Sequence, residues 1–398
     1  MRAVSRRHAR RCAYPLGHRC VSSAVKRRMS GRPPGTLVVR STNPGRDTSM
    51  PIAVDDDRLR FARMNAQLLA GPPAAGAAGA VRGAAALQAQ DAQALGLAVR
   101  ARTAGLVAGD VRRAVAEDRS VVRTWAMRGT LHAVPAADAG WIVGLVGPVF
   151  LRRFRKRRLD LGLDDALCER AEHAIREVLS DGAGLTRGRL VEELNRVGVP
   201  VPAAGQAPAH LVLYAALRGV VCRGPDAAGG DGEPTCVLMR DWVGAWEARD
   251  TESALARLAR RYLWGHGPAA PEDFRAWSGL PAPMVRRAWE LVSAELAEVS
   301  TSRGPTWAPK EFAESLPTAA PNPAVQMVGS FDAYLLGYQG RDSAVPPRYA
   351  RRIAPGGGII HPAVLVEGCA AARWRWGRGR ETVVVEPFEP LPDARWNP

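Results

Sequence analysis

The chain has 398 residues, a formal net charge of +16 and an apolar content that is ordinary for a globular protein. This length indicates two to four domains rather than one small core. No run of about eighteen apolar residues occurs, which argues against a membrane-spanning helix, and we expect no membrane partner.

Six cysteines are scattered along the chain without a CxxC pair, and the seven histidines show no ligand spacing around them. This pattern argues against a structural zinc site and against a disulfide framework. It fits a reducing compartment, so we expect a cytoplasmic protein that binds no metal.

Much of the positive charge lies in the first 49 residues, which hold twelve Lys or Arg and one acid. This segment contributes +11 and the rest of the chain +5, a charge that supports DNA binding if the arginines gather on one face. Residues 1–55 lack an apolar period and are predicted to be disordered. Either Met50 is the true start, or the tail is a basic arm that binds phosphates.

The segment 57–160 reads as helices followed by a strand pair. Arg58–Leu69 is predicted to be a helix, and an Ala-rich helical stretch follows through Val99. Asp110 is expected to cap a short helix, and residues 121–134 to form two strands that turn near Gly129.

The segments 164–248 and 251–310 repeat this order. In the first of them Asp164 and Thr186 are expected to cap helices, and a Gly-rich loop separates two strands that begin near Val220 and Cys236. In the second, Pro271 opens a helix and the last helix runs from 285 to 299. Helix, turn, helix and a strand pair is the arrangement of a winged helix-turn-helix. The prediction is an α+β fold of tandem winged helix-turn-helix units with a small β domain at 320–398.

Gln88 and Gln90 form a Gln-Ala-Gln motif in the Ala-rich stretch. Taken alone, they are surface glutamines on a helix. Residues two apart on an α-helix point about 200° away from each other, so a joint role requires a helix end or a local distortion.

A second notable segment is Arg123–His132. Gly129 permits a turn there, and His132 by itself predicts a hydrogen-bonded buried or edge histidine. Trp125 is expected to fill the core rather than to stack on a base.

These two segments and Gly329–Tyr338, in this order, resemble the bacterial winged-helix DNA glycosylases of the AlkZ/YcaQ type. The resemblance covers roughly residues 57–390. AlkZ-like members carry Gln-apolar-Gln, the form present here, whereas YcaQ-like members carry Gln-apolar-Asp. The resemblance implies that Gln88 and Gln90 position the water that attacks the sugar of a damaged nucleotide. The third motif departs from the family, since Ala333 stands where Glu is common, and Asp332 beside it is expected to cap a helix.

The resemblance also implies that side chains of the second motif lie near a DNA phosphate or the damaged base, and a basic run follows it at 152–158. That run is either a solvated helix face or a track for phosphates. Arg286 and Arg287 are weaker candidates of the same kind. The residues assigned to DNA binding are Arg123, Trp125, Arg128, Thr130, His132, Arg153, Lys156 and Arg157.

The predicted chemistry suits an amide pair, because a glutamine does not titrate near neutral pH and can only orient water. Such help suffices when the leaving base is an N7-alkylated purine, which carries positive charge and departs as a neutral molecule. No lysine stands at the motif, which favours simple hydrolysis over a Schiff-base lyase.

The sequence therefore predicts a monofunctional DNA glycosylase that hydrolyses cationic N7-alkylpurines and unhooks interstrand crosslinks. It would act on double-stranded DNA as a monomer, without a metal or organic cofactor. Two alternatives are a winged-helix regulator without chemistry, in which the glutamines are scaffold, and a protein-interaction module.

Overall fold

The structure is a computed structural model, and it describes residues 52–227, 232–246, 248–316 and 325–390. Nearly all of the tail predicted at 1–55 therefore lies outside the described residues, as do parts of the Gly-rich loop and of the predicted C-terminal domain. Within the described ranges helices and strands are interspersed along the chain, which confirms the prediction of mixed helix and sheet.

The described residues form fifteen α-helices. They are α1 (Asp56–Ala66), α2 (Gly76–Gly83), α3 (Ala92–Arg100), α4 (Ala108–Ala116), α5 (Ala136–Asp160), α6 (Asp165–Val178), α7 (Arg187–Arg196), α8 (Ala207–Leu217), α9 (Met239–Val243), α10 (Thr251–His266), α11 (Pro271–Ser278), α12 (Ala282–Val292), α13 (Lys310–Ser315), α14 (Ala333–Leu336) and α15 (Ala350–Ile353). Among these helices, none combines the length and the apolar character needed to cross a bilayer.

The same ranges contain thirteen strands. They are β1 (Ile52–Ala53), β2 (Leu87–Gln88), β3 (Val121–Trp125), β4 (Leu131–Pro135), β5 (Leu185–Thr186), β6 (Val221–Asp226), β7 (Pro234–Leu238), β8 (Leu296–Thr301), β9 (Gly304–Pro309), β10 (Val325–Val328), β11 (Ala363–Val366), β12 (Cys369–Trp376) and β13 (Val383–Pro387).

The largest sheet has six strands in the order β2-β4-β3-β6-β7-β5. Its first and second halves meet where β3 pairs with β6, at Arg123 and Arg223. A second sheet contains β1, β8 and β9, with β1 parallel to β8. The third is the antiparallel sheet β10-β11-β12-β13. The two hairpins predicted in separate units thus share one sheet, and the division into units at 57–160, 164–248, 251–310 and 320–398 stays a prediction.

Several helix ends follow the predicted capping residues. Asp164 accepts the backbone N–H of Leu167 over 2.7 Å, and Thr186 accepts that of Arg189 over 3.4 Å. Pro271 is the first residue of α11, where its fixed φ suits a helix start and its missing N–H costs nothing. The predicted strand pair at 121–134 is confirmed as β3 and β4.

The predicted Ala-rich helix is wrong over residues 84–91. The chain leaves α2, passes through the left-handed Ala85 (φ +61°) and enters the two-residue strand β2. Pairing with β4 at the sheet edge, with Leu87 opposite Ala133 and Gln88 opposite His132, outweighs the helix propensity of alanine. The glutamine motif therefore lies on extended backbone and not on a helix.

Two further boundaries differ from the prediction. Asp110 is the third residue of α4 and caps it from inside, by accepting the backbone N–H of Val107 over 2.9 Å. The helix predicted at 285–299 ends at Val292, and β8 begins at Leu296 because this segment pairs with β9.

The main core lies between one face of the six-stranded sheet, α5 and the helices α10 to α12. Val122 and Val134 face this core from the sheet and are fully buried. The turn between β3 and β4 meets the end of α11. Gly279 sits there with φ +74°, and a Cβ at this position would lie 2.9 Å from the Cα of Arg128. This close approach sets the wall of the site described next.

Candidate active site

The two glutamines of the Gln-Ala-Gln motif lie side by side. In extended backbone, residues two apart point to the same face of a strand, so the obstacle posed by a helix does not arise. The Nε2 of Gln88 donates to the Oε1 of Gln90 over 2.9 Å. The Gln88 side chain is half-buried and that of Gln90 is exposed. The N–H of Ala89 between them donates to the carbonyl of Leu131 over 2.9 Å, which continues the pairing with β4.

Arg128 orients the first glutamine. It lies in the 3-10 turn Met127–Gly129 with φ +59°, and its side chain enters the gap between β2 and α11. Its Nη1 donates to the carbonyl of Trp277 over 2.6 Å, and its Nη2 donates to the Oε1 of Gln88 over 3.2 Å. Because Arg128 occupies the carbonyl oxygen of Gln88, the amide nitrogen of Gln88 faces Gln90. Burial and the nearby charge of Arg341 lower the pKa of Arg128 to about 10, so the guanidinium stays charged at neutral pH.

His132 is buried beside Arg128 and is neutral. Its Nδ1 lies 2.9 Å from the carbonyl of Thr130 and its Nε2 lies 3.3 Å from the Nη2 of Arg128. A guanidinium can only donate, so Nε2 is the acceptor and the proton sits on Nδ1. Burial and the charge of Arg128 lower the pKa of His132 to about 3. The histidine therefore holds Arg128 by a hydrogen bond and is no proton donor near neutral pH.

Three other predicted DNA-binding residues of the second motif lie outside this cluster. Arg123 is buried, and its Nη2 donates to the carbonyl of Ala89 over 3.1 Å. The guanidinium of Arg223 lies over the ring of Trp125, with its Cζ 5.1 Å from the ring centroid. This packing fits the core role expected for Trp125. The hydroxyl of Thr130 donates to the carbonyl of Met127 over 3.2 Å. Contact of these residues with DNA stays a prediction.

The predicted basic run occupies the last turns of α5. Arg153 is exposed and donates to the carbonyl of Gly279 over 2.8 Å, so it lies next to the turn that carries Arg128. Lys156 pairs with Asp160 over 3.5 Å, and Arg157 donates to the side chain of Gln206 over 2.8 Å. Lys156 and Arg157 follow toward the helix end and are exposed.

The other basic candidates and the third motif have structural partners. Arg287 forms ion pairs with Glu252 and Glu290, while Arg286 lies exposed on the same helix. Asp332 accepts the backbone N–H of Tyr334 over 2.9 Å, which confirms the predicted cap of α14. The same carboxylate also forms a buried ion pair with Arg102.

The sequence reasoning missed three contributors to the site. Asp91 is the N-cap of α3, where it accepts the backbone N–H groups of Gln93 and Ala94 over 2.7 and 3.0 Å and so fixes the end of the glutamine segment. An aspartate before an apolar-periodic run is a known helix-start signal that could have revealed it. The carbonyl of Trp277 and the charge of Arg341 carry no local sequence signal, because tertiary folding alone brings them to Arg128.

Within the part of the chain that the structure describes, no group of three or more His, Cys, Asp or Glu side chains is placed to hold a metal ion. The chemistry of the cluster therefore has to be read from two amides, one guanidinium and one neutral imidazole. This set can orient a water and can hold an anion nearby, but it contains no group that titrates near neutral pH.

Comparison with known proteins identifies similar chains. The family model described as "DNA glycosylase AlkZ-like" matches residues 81–397. The "Interstrand DNA cross-link repair glycosylase" of Streptomyces sahachiroi is 30% identical over 289 residues, which cover 70% of this chain and 76% of that protein. The solved structure of the Streptomyces sahachiroi DNA glycosylase AlkZ matches with a TM-score of 0.71 and 27% identity, over 86% of this chain and 93% of that one.

Proposed function

Because this chain belongs to the AlkZ-like DNA glycosylase family and is a DNA repair glycosylase, we propose that it hydrolyses the N-glycosidic bond of cationic N7-alkylpurines in duplex DNA. The proposal extends to interstrand crosslinks, which the relative from Streptomyces sahachiroi is named for repairing. The observation that carries it is the hydrogen bond between Gln88 and Gln90, at the edge of the sheet and beside Arg128.

The reaction needs no acid and no strong base. The water oxygen forms a bond to C1′ of the deoxyribose while the bond from C1′ to N9 of the purine breaks. The bonding electron pair stays on the purine and neutralises the positive charge created by alkylation at N7. The surplus proton of the attacking water leaves to solvent. Orientation of the water and electrostatic placement then supply most of the rate enhancement.

The two amides would hold this water together. The carbonyl oxygen of Gln90 has a second lone pair that accepts a hydrogen from the water. Gln88 holds that oxygen in place by donating one amide hydrogen to it. Arg128 fixes this polarity, because the Oε1 of Gln88 accepts from its Nη2 and a flipped amide would present two donors to each other. His132 in turn holds Arg128.

The substrate strand would be gripped by arginines around this edge. Arg153, from the basic run on α5, lies beside the turn that carries Arg128, through its bond to Gly279. Lys156 and Arg157 would extend the track along α5. We propose tandem winged helix-turn-helix units as the scaffold, since helices followed by the hairpins β3-β4, β6-β7 and β8-β9 recur along the chain. The proposed partner is double-stranded DNA with alkylated bases, bound by a monomer in the cytoplasm.

Release of free base from defined duplexes tests the proposal. A duplex with one N7-methylguanine, an identical undamaged duplex and a duplex with an N7-linked crosslink are incubated with wild type, Gln90→Ala and Gln93→Ala. Gln93 is a matched control, because it is an exposed glutamine in the first turn of α3. We expect wild type and Gln93→Ala to release methylguanine and to unhook the crosslink, and Gln90→Ala to do both much more slowly. Binding of intact DNA without base release by wild type would contradict the proposal.

A further inference from the structure

The segment that carries the glutamines has weak local support. Strand β2 has two residues and lies at the edge of the six-stranded sheet, so it has a paired neighbour on one side. Directly after β2, the backbone N–H of Ala89 donates to the carbonyl of Leu131. Gln90 comes next in the chain, and Asp91 after it caps α3. Two paired residues cannot by themselves fix the direction of two flexible side chains.

Arg123 supplies a second anchor from two strands away. Strand β4 lies between β3, which carries Arg123, and β2. In the register, Arg123 stands opposite Ala133, and Ala133 stands opposite Leu87. The side chain of Arg123 passes beneath β4, and its Nη2 reaches the carbonyl of Ala89, the residue between the two glutamines, over 3.1 Å.

This arginine is a poor choice if its purpose is stability alone. It is 7% exposed, and among the described residues it has no ion-pair partner. Its Nε is buried without a hydrogen-bond partner. The charges of Asp226 and Asp91 favour the guanidinium from a longer range, and Arg223 opposes it. An unpaired buried charge is costly, and an apolar residue of similar volume is commonly tolerated as well or better.

We propose that Arg123 is a positioning residue for the glycosidic reaction, which acts by holding the carbonyl of Ala89 and so aiming Gln88 and Gln90. This inference rests on the proposed function of the glutamine pair. It assigns Arg123 a role other than the direct DNA contact that the sequence predicted. The guanidinium does not touch the reacting atoms; it fixes the peptide unit that joins Ala89 to Gln90, between the two glutamine side chains.

Arg223 provides a matched control. It is directly opposite Arg123 in the pairing of β3 with β6, and it is 9% exposed. Its Nη1 donates to the carbonyl of Pro234, and its guanidinium lies over the ring of Trp125. None of these contacts reaches the glutamine segment, so a variant here reports the general cost of removing a buried arginine from this sheet.

The experiment compares Arg123→Met, Arg123→Lys and Arg223→Met in single-turnover release of N7-methylguanine at saturating enzyme. A displacement of about 1 Å at a catalytic group costs on the order of 100-fold in rate. We expect Arg123→Met to slow release by on the order of 100-fold, with the dissociation constant for intact DNA within about twofold of wild type. Arg123→Lys should recover part of the rate, because an ammonium can donate to the same carbonyl. Arg223→Met should retain the wild-type rate.

Amide hydrogen exchange over residues 86–92 gives a readout that does not need activity. Arg123→Met should raise exchange in this segment, and Arg223→Met should leave it unchanged. Should wild type release no methylguanine, the proposed function fails, while the exchange measurement still tests whether Arg123 holds the segment.

Three results would overturn the inference. A weaker DNA affinity with an unchanged rate at saturation would make Arg123 a DNA contact, a role open to it because it lines a groove of about 900 Å³ between α3, α4 and β6. Equal losses of rate in Arg123→Met and Arg223→Met, in step with their thermal midpoints, would make it a structural residue. Unchanged rate and exchange in Arg123→Met would leave it without a role in the site.

Discussion

Arg102 and Asp332 form a two-pronged ion pair in which both side chains are fully buried. The Nη1 of Arg102 lies 2.9 Å from one carboxylate oxygen of Asp332, and its Nη2 lies 2.8 Å from the other. The same guanidinium donates to Gln67 and to the carbonyl of Ala98. The network around the pair therefore connects the end of α1, the end of α3 and the start of α14.

Removal of this carboxylate should be strongly destabilising. Asp332→Ala leaves Arg102 as a buried charge without its partner, and losing one member of such a pair costs about 3–5 kcal/mol. Urea unfolding followed by circular dichroism measures the change in the free energy of unfolding. Glu252→Ala, which breaks the exposed pair with Arg287, is the control and should cause no measurable change. A loss in Asp332→Ala no larger than that of the control would show that the pair adds nothing.

Arg128 should affect the rate of base release more than the affinity for DNA. Arg128→Met frees the Oε1 of Gln88, so this amide can flip and no longer donate to the Gln90 oxygen that would hold the water. We expect single-turnover release to slow by on the order of 10-fold. Arg153→Met is the comparison, because Arg153 is exposed and bonds to the neighbouring Gly279. Arg153→Met should weaken DNA binding. The dependence of the binding constant on salt concentration should become shallower by the amount expected for about one phosphate contact, and the rate of base release should change little. A weaker DNA affinity with an unchanged rate in Arg128→Met, together with slower release at unchanged affinity in Arg153→Met, would refute these roles.

The rate of base release should be nearly independent of pH between about 5.5 and 8.5. Glutamines do not titrate in this range, the pKa of His132 is about 3 and that of Arg128 is about 10. The measurement is single-turnover release at saturating enzyme, corrected for spontaneous depurination of the same duplex. A tenfold change per pH unit anywhere in this range would mean that a general acid or base takes part.

Stability, in contrast to rate, should fall in mild acid. His266 is fully buried against Tyr262, and burial lowers its pKa from 6.5 to about 3. In the unfolded chain His266 takes up a proton near pH 6.5, whereas in the folded chain it does so only near pH 3. The free energy of unfolding therefore decreases as the pH falls from about 6.5 to about 3. His266→Phe keeps a ring and removes the titration. The difference in unfolding free energy between pH 7.5 and pH 5.0 should be smaller in this variant, and an equal difference would contradict the assignment.

Local sequence signals predicted the helix starts well, because an N-cap acts within one turn. Asp164, Thr186 and Asp332 each cap the helix they were expected to cap. The strand pair around Gly129 also follows from local turn chemistry. Sequence predicted less at 84–91, where β2 forms by pairing with the distant β4, and at 296–299, which belongs to β8 and pairs with β9 in a hairpin and with the distant β1. There alanine and apolar spacing favour a helix, and tertiary contacts decide against it.

The candidate site was predictable as a set of residues but not as an arrangement. The family resemblance singled out Gln88, Gln90, Arg128 and His132, and the structure brings these four together. The bonds from Arg123 to Ala89 and from Arg128 to Trp277 end on backbone carbonyls, which carry no residue-specific signal.

The central claim is that Gln88 and Gln90 hold one water as a unit, and a double-mutant cycle tests it most directly. Single-turnover release of N7-methylguanine is measured for wild type, Gln88→Ala, Gln90→Ala and the double variant. Groups that act on one water lose most of their effect when either is removed, so the double variant should be about as slow as the slower single variant. Losses that multiply in the double variant, or single variants as fast as wild type, would contradict the claim.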